Sequence, residues 1–91
     1  MPIAFEITVK GRVQGVFYRA STREKAIELG VKGWCMNLPN GDVLIHAEGE
    51  RVDLNSLLLW CKVGPPKAIV DSVNFQETEF KGYSEFSIKR Y

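Results

Sequence analysis

Apolar residues recur at every second position through Ile3, Phe5, Ile7 and Val9, with Thr8 adding β-branched character, so the chain opens on a strand from Ile3 to Val13. At Tyr18 the period lengthens. From Tyr18 to Leu29 the pattern reads as a helix, with Ala20, Ile27 and Val31 near one face, Arg23, Glu24, Lys25 and Glu28 mostly outside, and Gly30 as the stop. Two strands, Val31 to Asn37 and Val43 to Glu48, flank Leu38-Pro39-Asn40-Gly41-Asp42, whose Asn-Gly after proline predicts a hairpin. A second helix fits Val52 to Val63, with Leu54, Leu57, Leu58 and Cys61 at core spacing and Gly64-Pro65-Pro66 ending it. Ala68 to Gln76 and Tyr83 to Tyr91, the latter carrying Tyr83, Phe86 and Ile88, complete the set as strands.

The predicted order, strand-helix-strand-strand-helix-strand plus one final strand, is that of an α+β, ferredoxin-like split β-α-β sandwich, a mixed sheet with two helices on one face. Strands joined by the first crossover run parallel. The second hairpin strand inserts antiparallel between them, so the first two strands end on one edge of the sheet. The loop Gln14 to Arg19, the start of the first helix and Asn37 therefore converge on one cleft. With 91 residues, no repeats and no linker, a single domain spanning 1–91 is expected.

Composition narrows the class without choosing a function. An apolar fraction of 45% excludes a disordered chain, and no apolar run approaches the roughly 18 residues of a membrane span. Met1-Pro2-Ile3-Ala4-Phe5-Glu6 lacks a signal-peptide pattern, so a soluble, cytoplasmic protein is expected. Cys35 and Cys61 lie inside apolar segments and read as buried, reduced thiols. A net charge of +1 argues against a dedicated nucleic-acid binder. The same topology does serve single-stranded RNA binders that stack bases on sheet-face aromatics, which is the reading from another class. Its aromatics, Trp34, Trp60 and the Phe17-Tyr18 pair, are most simply core or loop anchors, although Phe17 or Tyr18 also suits the border of a substrate's apolar part. His46 reads as a strand-surface or partly packed residue.

Charge is uneven along the chain. Lys10, Arg12, Arg19, Arg23, Lys25 and Lys32 outnumber the acids before residue 36, and they surround Lys10-Gly11-Arg12-Val13-Gln14-Gly15-Val16-Phe17-Tyr18-Arg19. Two glycines let backbone N–H groups turn toward one point, and the following helix adds unpaired N–H groups and the positive end of its dipole. Arg19 stands against that dipole, which costs about 0.3 to 1 kcal/mol unless an anion reverses the sign. That placement predicts an anion site in this segment, one that a phosphate would fit. The residues alone leave two roles for Gln14, a loop polar group or a pocket amide. They leave two for Asn37, an Asx-turn former or a residue that positions water.

The absences constrain the chemistry. The segment lacks the Gly-Lys-Ser/Thr ending of a nucleotide-binding phosphate loop, no arginine stands five residues beyond Cys35, no paired aspartates suit a phosphoenzyme, and one histidine makes no metal cluster. An arginine, a nest of amides and an asparagine suit a phosphate whose leaving group needs no proton. A carboxylate, with a conjugate-acid pKa of about 4, meets that condition.

The decapeptide resembles the acylphosphatase signature G-x-V-Q-G-V-x-[FY]-R, and the resemblance extends along the chain. Gly33-Trp34-Cys35-Met36-Asn37 with Asn40-Gly41-Asp42-Val43 is similar to the family's G-W-x-x-N-x-x-D-G-x-V, with Asn40 in place of an aspartate. Gly64-Pro65-Pro66-Lys67-Ala68-Ile69-Val70-Asp71-Ser72-Val73 resembles G-P-P-x-A-x-V-x-x-V, and Tyr83 with Phe86-Ser87-Ile88 resembles Y-x-x-F-x-I. The resemblance implies a monomeric enzyme that hydrolyses acyl phosphates without metal, cofactor or phosphoenzyme. Arg19 and the amides of a phosphate-binding loop, Gln14, Gly15, Val16, Phe17 and Tyr18, would bind the phosphate, inorganic phosphate included, and Asn37 would orient the attacking water. Pairing of the Tyr91 carboxylate with Arg19 in the empty site is a further expectation.

Overall fold

The period-two alternation of the first strand becomes a two-sided sheet. In the computed structural model, which describes residues 1–90, the elements are β1 (Ile3–Arg12), α1 (Tyr18–Leu29), β2 (Lys32–Asn37), β3 (Val43–Gly49), α2 (Arg51–Cys61), β4 (Ile69–Thr78) and β5 (Phe86–Ile88). The sheet order is β4-β1-β3-β2-β5. β3 lies antiparallel between β1 and β2, β4 pairs antiparallel with β1, and β5 runs parallel to β2. Val43 pairs with both Val9 and Asn37, so the ends of β1 and β2 reach the same edge.

Phe5, Ile7 and Val9 of β1, Cys35 of β2 and Val43, Ile45 and Ala47 of β3 are buried, every second residue of each strand. They share one core cluster with Tyr18 and Ala26 of α1 and Leu54, Leu57, Leu58 and Cys61 of α2, which puts both helices on one face. Each large side chain removed from water there contributes about 1.5–3 kcal/mol. No helix is long and apolar enough to cross a membrane among the described residues.

Two expectations change here. The inward face of α1 is Tyr18, Thr22 and Ala26, while Ala20 and Ile27 point outward. Thr22 is tolerated inside because its Oγ1 donates to the Tyr18 carbonyl at 2.8 Å, so its polarity is already met. The final strand is only Phe86–Ile88. Tyr83 falls outside it because its N–H is given to a side chain rather than to a ladder. Tyr91, and with it the expected pairing to Arg19, lies outside the described residues.

The side chain that takes the Tyr83 N–H is Glu48, and it also changes the reading of His46. Instead of lying at the surface, His46 is buried with its Nε2 2.8 Å from Glu48 Oε2. The same carboxylate accepts the backbone N–H groups of Lys81 at 2.6 Å, Gly82 at 3.0 Å and Tyr83 at 2.9 Å. His46 stacks on Trp34 and meets the edge of Tyr83, so the returning chain covers this end of the second sheet face. A charge that would be costly alone is satisfied four times over.

Candidate active site

The loop between β1 and α1 is shaped by two left-handed residues, Gly15 (φ 75) and Phe17 (φ 65). Glycine meets that demand without cost, but a phenylalanine does not, so the surrounding structure holds Phe17 in a disfavoured conformation. Phe17 is also the N-cap of α1, where its side chain makes no capping bond, and the first turn contains no acidic residue. Among the described residues the N–H groups of Gly15 to Ala20 have no acceptor. The positive end of the helix is therefore uncompensated and aimed outward.

A cavity of about 370 Å³ opens over these groups, walled by Val13, Gly15, Phe17, Tyr18, Arg19, Ala20, Ile88 and Arg90. Arg19 is half-buried and makes no ion pair with any described residue. No carboxylate stands in the wall; its charges are both positive. Arg90 and Ile88 were not singled out from sequence. The signal was topological: a last strand parallel to β2 must deliver the residues that follow it to the edge where β2 ends.

Tyr18 anchors the floor. Its hydroxyl donates to the Cys61 carbonyl at 2.7 Å, its ring packs on Trp60 with centroids 5.5 Å apart, and burial raises its pKa well above the usual phenol range. Gly64 makes room for it, since a Cβ there would sit 2.7 Å from the Tyr18 ring. Phe17, by contrast, is 76% exposed and serves as cavity wall rather than core.

Three expected site residues, Gln14, Val16 and Asn37, stand outside the cavity wall. Val16 packs against the core. Gln14 is half-buried, and its Nε2 donates to the carbonyls of Leu38 and Asp42, both at 2.8 Å. Asn37 ends β2, next to the Leu38 that Gln14 holds, and its Oδ1 is buried without a partner. A buried carbonyl oxygen left unpaired costs about 1–3 kcal/mol.

Candidate nucleophiles are quiet. Burial pushes the Cys35 thiol up to about 12 against the opposing pull of the Arg19 charge, and pushes Cys61 up to about 12 as well. Both are buried and free, as expected of packing residues. No group of three or more His, Cys, Asp or Glu side chains among the described residues is arranged to hold a metal ion.

The acylphosphatase family model matches residues 5–88. The chain belongs to the acylphosphatase family. It is 55% identical over 73 residues to an acylphosphatase of Marinobacter nauticus, covering 80% of this chain and 79% of that one. It is 48% identical to an acylphosphatase of Thermotoga maritima over 97% of this chain and 98% of the relative. An acylphosphatase structure from Coxiella burnetii superposes with a TM-score of 0.94 at 44% identity, covering 97% and 93% of the two chains. The activity carried by this acylphosphatase is hydrolysis of acyl phosphates. In that light, a cradle of unpaired amides bounded by cations is suited to the phosphoryl end of the substrate.

Proposed function

We propose that the acyl phosphate is hydrolysed by positioning and charge alone, with the phosphoryl oxygens on the Gly15 to Arg19 amides and the Arg19 guanidinium and with water on Asn37. The observation that carries this reading is the shared edge: Val43 pairs with both Val9 and Asn37, so Asn37 ends β2 beside the loop whose N–H groups have no acceptor. The Asn37 carboxamide, a group that can both donate to and accept from water, fixes a water molecule with a lone pair toward phosphorus. Water attacks as the bond from phosphorus to the acyl oxygen breaks. The electron pair leaves on a carboxylate of pKa about 4, so no general acid is required. The water's protons pass to the phosphate oxygens and to solvent, which gives inorganic phosphate.

Arginine suits the phosphate role because its planar fork stays charged and bonds two oxygens at once. Metal and phosphoenzyme are left out of the scheme because the wall offers donors and cations, matched to an anion directly. The buried free thiols suit a reducing compartment, and we place the enzyme in the cytoplasm as a monomer.

Phosphate release from benzoyl phosphate, acetyl phosphate and a phosphomonoester, each with and without chelator, tests the scheme. Turnover confined to the acyl phosphates and indifferent to chelator is expected. Arg19→Ala loses both turnover and competitive inhibition by phosphate. Asn37→Ala loses about 10²–10³ in kcat while phosphate inhibition is retained. Near-native kcat in either variant removes that residue from the scheme.

A further inference from the structure

Gln14 lies in the phosphate loop by sequence, yet its carboxamide faces the hairpin turn. A glutamine amide carries two N–H groups, and Nε2 directs them at two carbonyls, Leu38 O and Asp42 O, each 2.8 Å away. None is left for an anion, and the remaining amide oxygen repels one. The two carbonyls are not arbitrary. Leu38 follows Asn37 directly, and Asp42 precedes Val43, the residue paired with Asn37 across the hairpin. The turn is also closed within itself, Leu38 N–H donating to Asp42 O at 2.8 Å and Gly41 N–H to Leu38 O at 3.1 Å. Gln14 therefore grips both ends of a rigid turn whose next residue is Asn37, from one residue before Gly15.

We propose that Gln14 is a positioning residue whose side chain clamps the β2–β3 turn to the phosphate loop and thereby sets where Asn37 stands relative to the bound phosphoryl group. The inference rests on the water-orienting role proposed for Asn37. A misplacement of about 1 Å in such a group costs about 10²-fold in rate. The ion pair of Lys10 with Asp42 Oδ2, at 2.6 Å, reaches the same turn through a side chain and leaves both clamped carbonyls untouched, which makes it an internal control.

The test compares Gln14→Met, which keeps the stem and removes both N–H groups, with Lys10→Met, each in the wild-type and the Asn37→Ala background. The readouts are kcat and KM on benzoyl phosphate and the inhibition constant of inorganic phosphate, which also reports that the loop is folded. In the wild-type background Gln14→Met lowers kcat by about 10- to 100-fold, with the phosphate inhibition constant within about twofold and Lys10→Met near wild type. In the Asn37→Ala background Gln14→Met costs less than about twofold more, because the residue it positions is gone. Equal losses in both backgrounds, a weakened phosphate inhibition at unchanged kcat, or an equal loss in Lys10→Met overturns the clamp while leaving the role of Asn37 intact. Wild-type kcat in Asn37→Ala overturns the hydrolytic scheme and the clamp together. If Gln14→Met is inactive, side-chain NMR decides: displacement of the Asn37 amide resonance with the phosphate-induced shift of Arg19 Nε unchanged supports the clamp, and an unmoved Asn37 resonance overturns it.

Discussion

Glu48 shows how much one buried residue can organise. Burial by itself raises its carboxyl pKa, but the bond to His46, the N–H groups of Lys81 and Tyr83 and the charge on His46 outweigh that, so it titrates below the ordinary 4.5. A carboxylate depressed in the folded state contributes stability above its unfolded pKa, and the contribution disappears as pH falls through the folded value. Glu48→Gln turns an amide toward N–H donors and is expected to cost about 1–3 kcal/mol near pH 7. In urea unfolding the gap from wild type should close below pH 4.5; a gap constant down to pH 3 would show that the charge is immaterial. Neither His46 nor Glu48 was legible as a core pair. Two polar residues at an outward-facing strand spacing look solvated, and the amides that satisfy them arrive from more than thirty residues away. The place of Arg19 at the cavity wall was legible because its anomaly is local: a cation at the wrong end of a helix is visible in any ten-residue window.

At the scale of elements, α1 is tied to the end of α2 through Tyr18, the residue that adjoins Arg19. Tyr18→Phe leaves the Cys61 carbonyl unpaired and should lower stability by about 1–1.5 kcal/mol. Gly64→Ala should cost more, since its Cβ meets the Tyr18 ring at 2.7 Å and its φ of 68 disfavours any side chain. Thermal unfolding of both variants checks the order; an Ala variant as stable as wild type would mean that the ring yields freely. The bounds of α1 follow from its glycine stop and change of period, and the core face of α2 from its leucine spacing. The face of α1 was misread because Thr22 counts as polar in any pattern, whereas a hydroxyl bonded to the preceding turn packs like a small apolar group. The length of β5 was equally hidden, for the first residue of the expected strand, Tyr83, gives its N–H to Glu48.

For the whole molecule, the order of elements was enough to place β3 between β1 and β2 and so to bring the β1–α1 loop and Asn37 to one edge. Sequence did not place Arg90 in the cavity wall, because that depends on β5 running parallel to β2. A ligand that binds the folded chain and not the unfolded one adds to its stability by mass action. Phosphate at 100 times its dissociation constant should stabilise the fold by about 2.7 kcal/mol. Calorimetry should show the melting temperature rising with phosphate and not with equimolar chloride, and Arg19→Ala should abolish the rise.

The unpaired amides of Gly15 to Ala20 make the loop its own reporter. Hydrogens with no acceptor and access to solvent exchange with deuterium in the time of manual mixing, whereas those beneath a bound anion exchange only when it leaves. Occupancy of this enzyme can therefore be read from isotope uptake in six residues, with substrates too slow or too unstable for any assay of turnover.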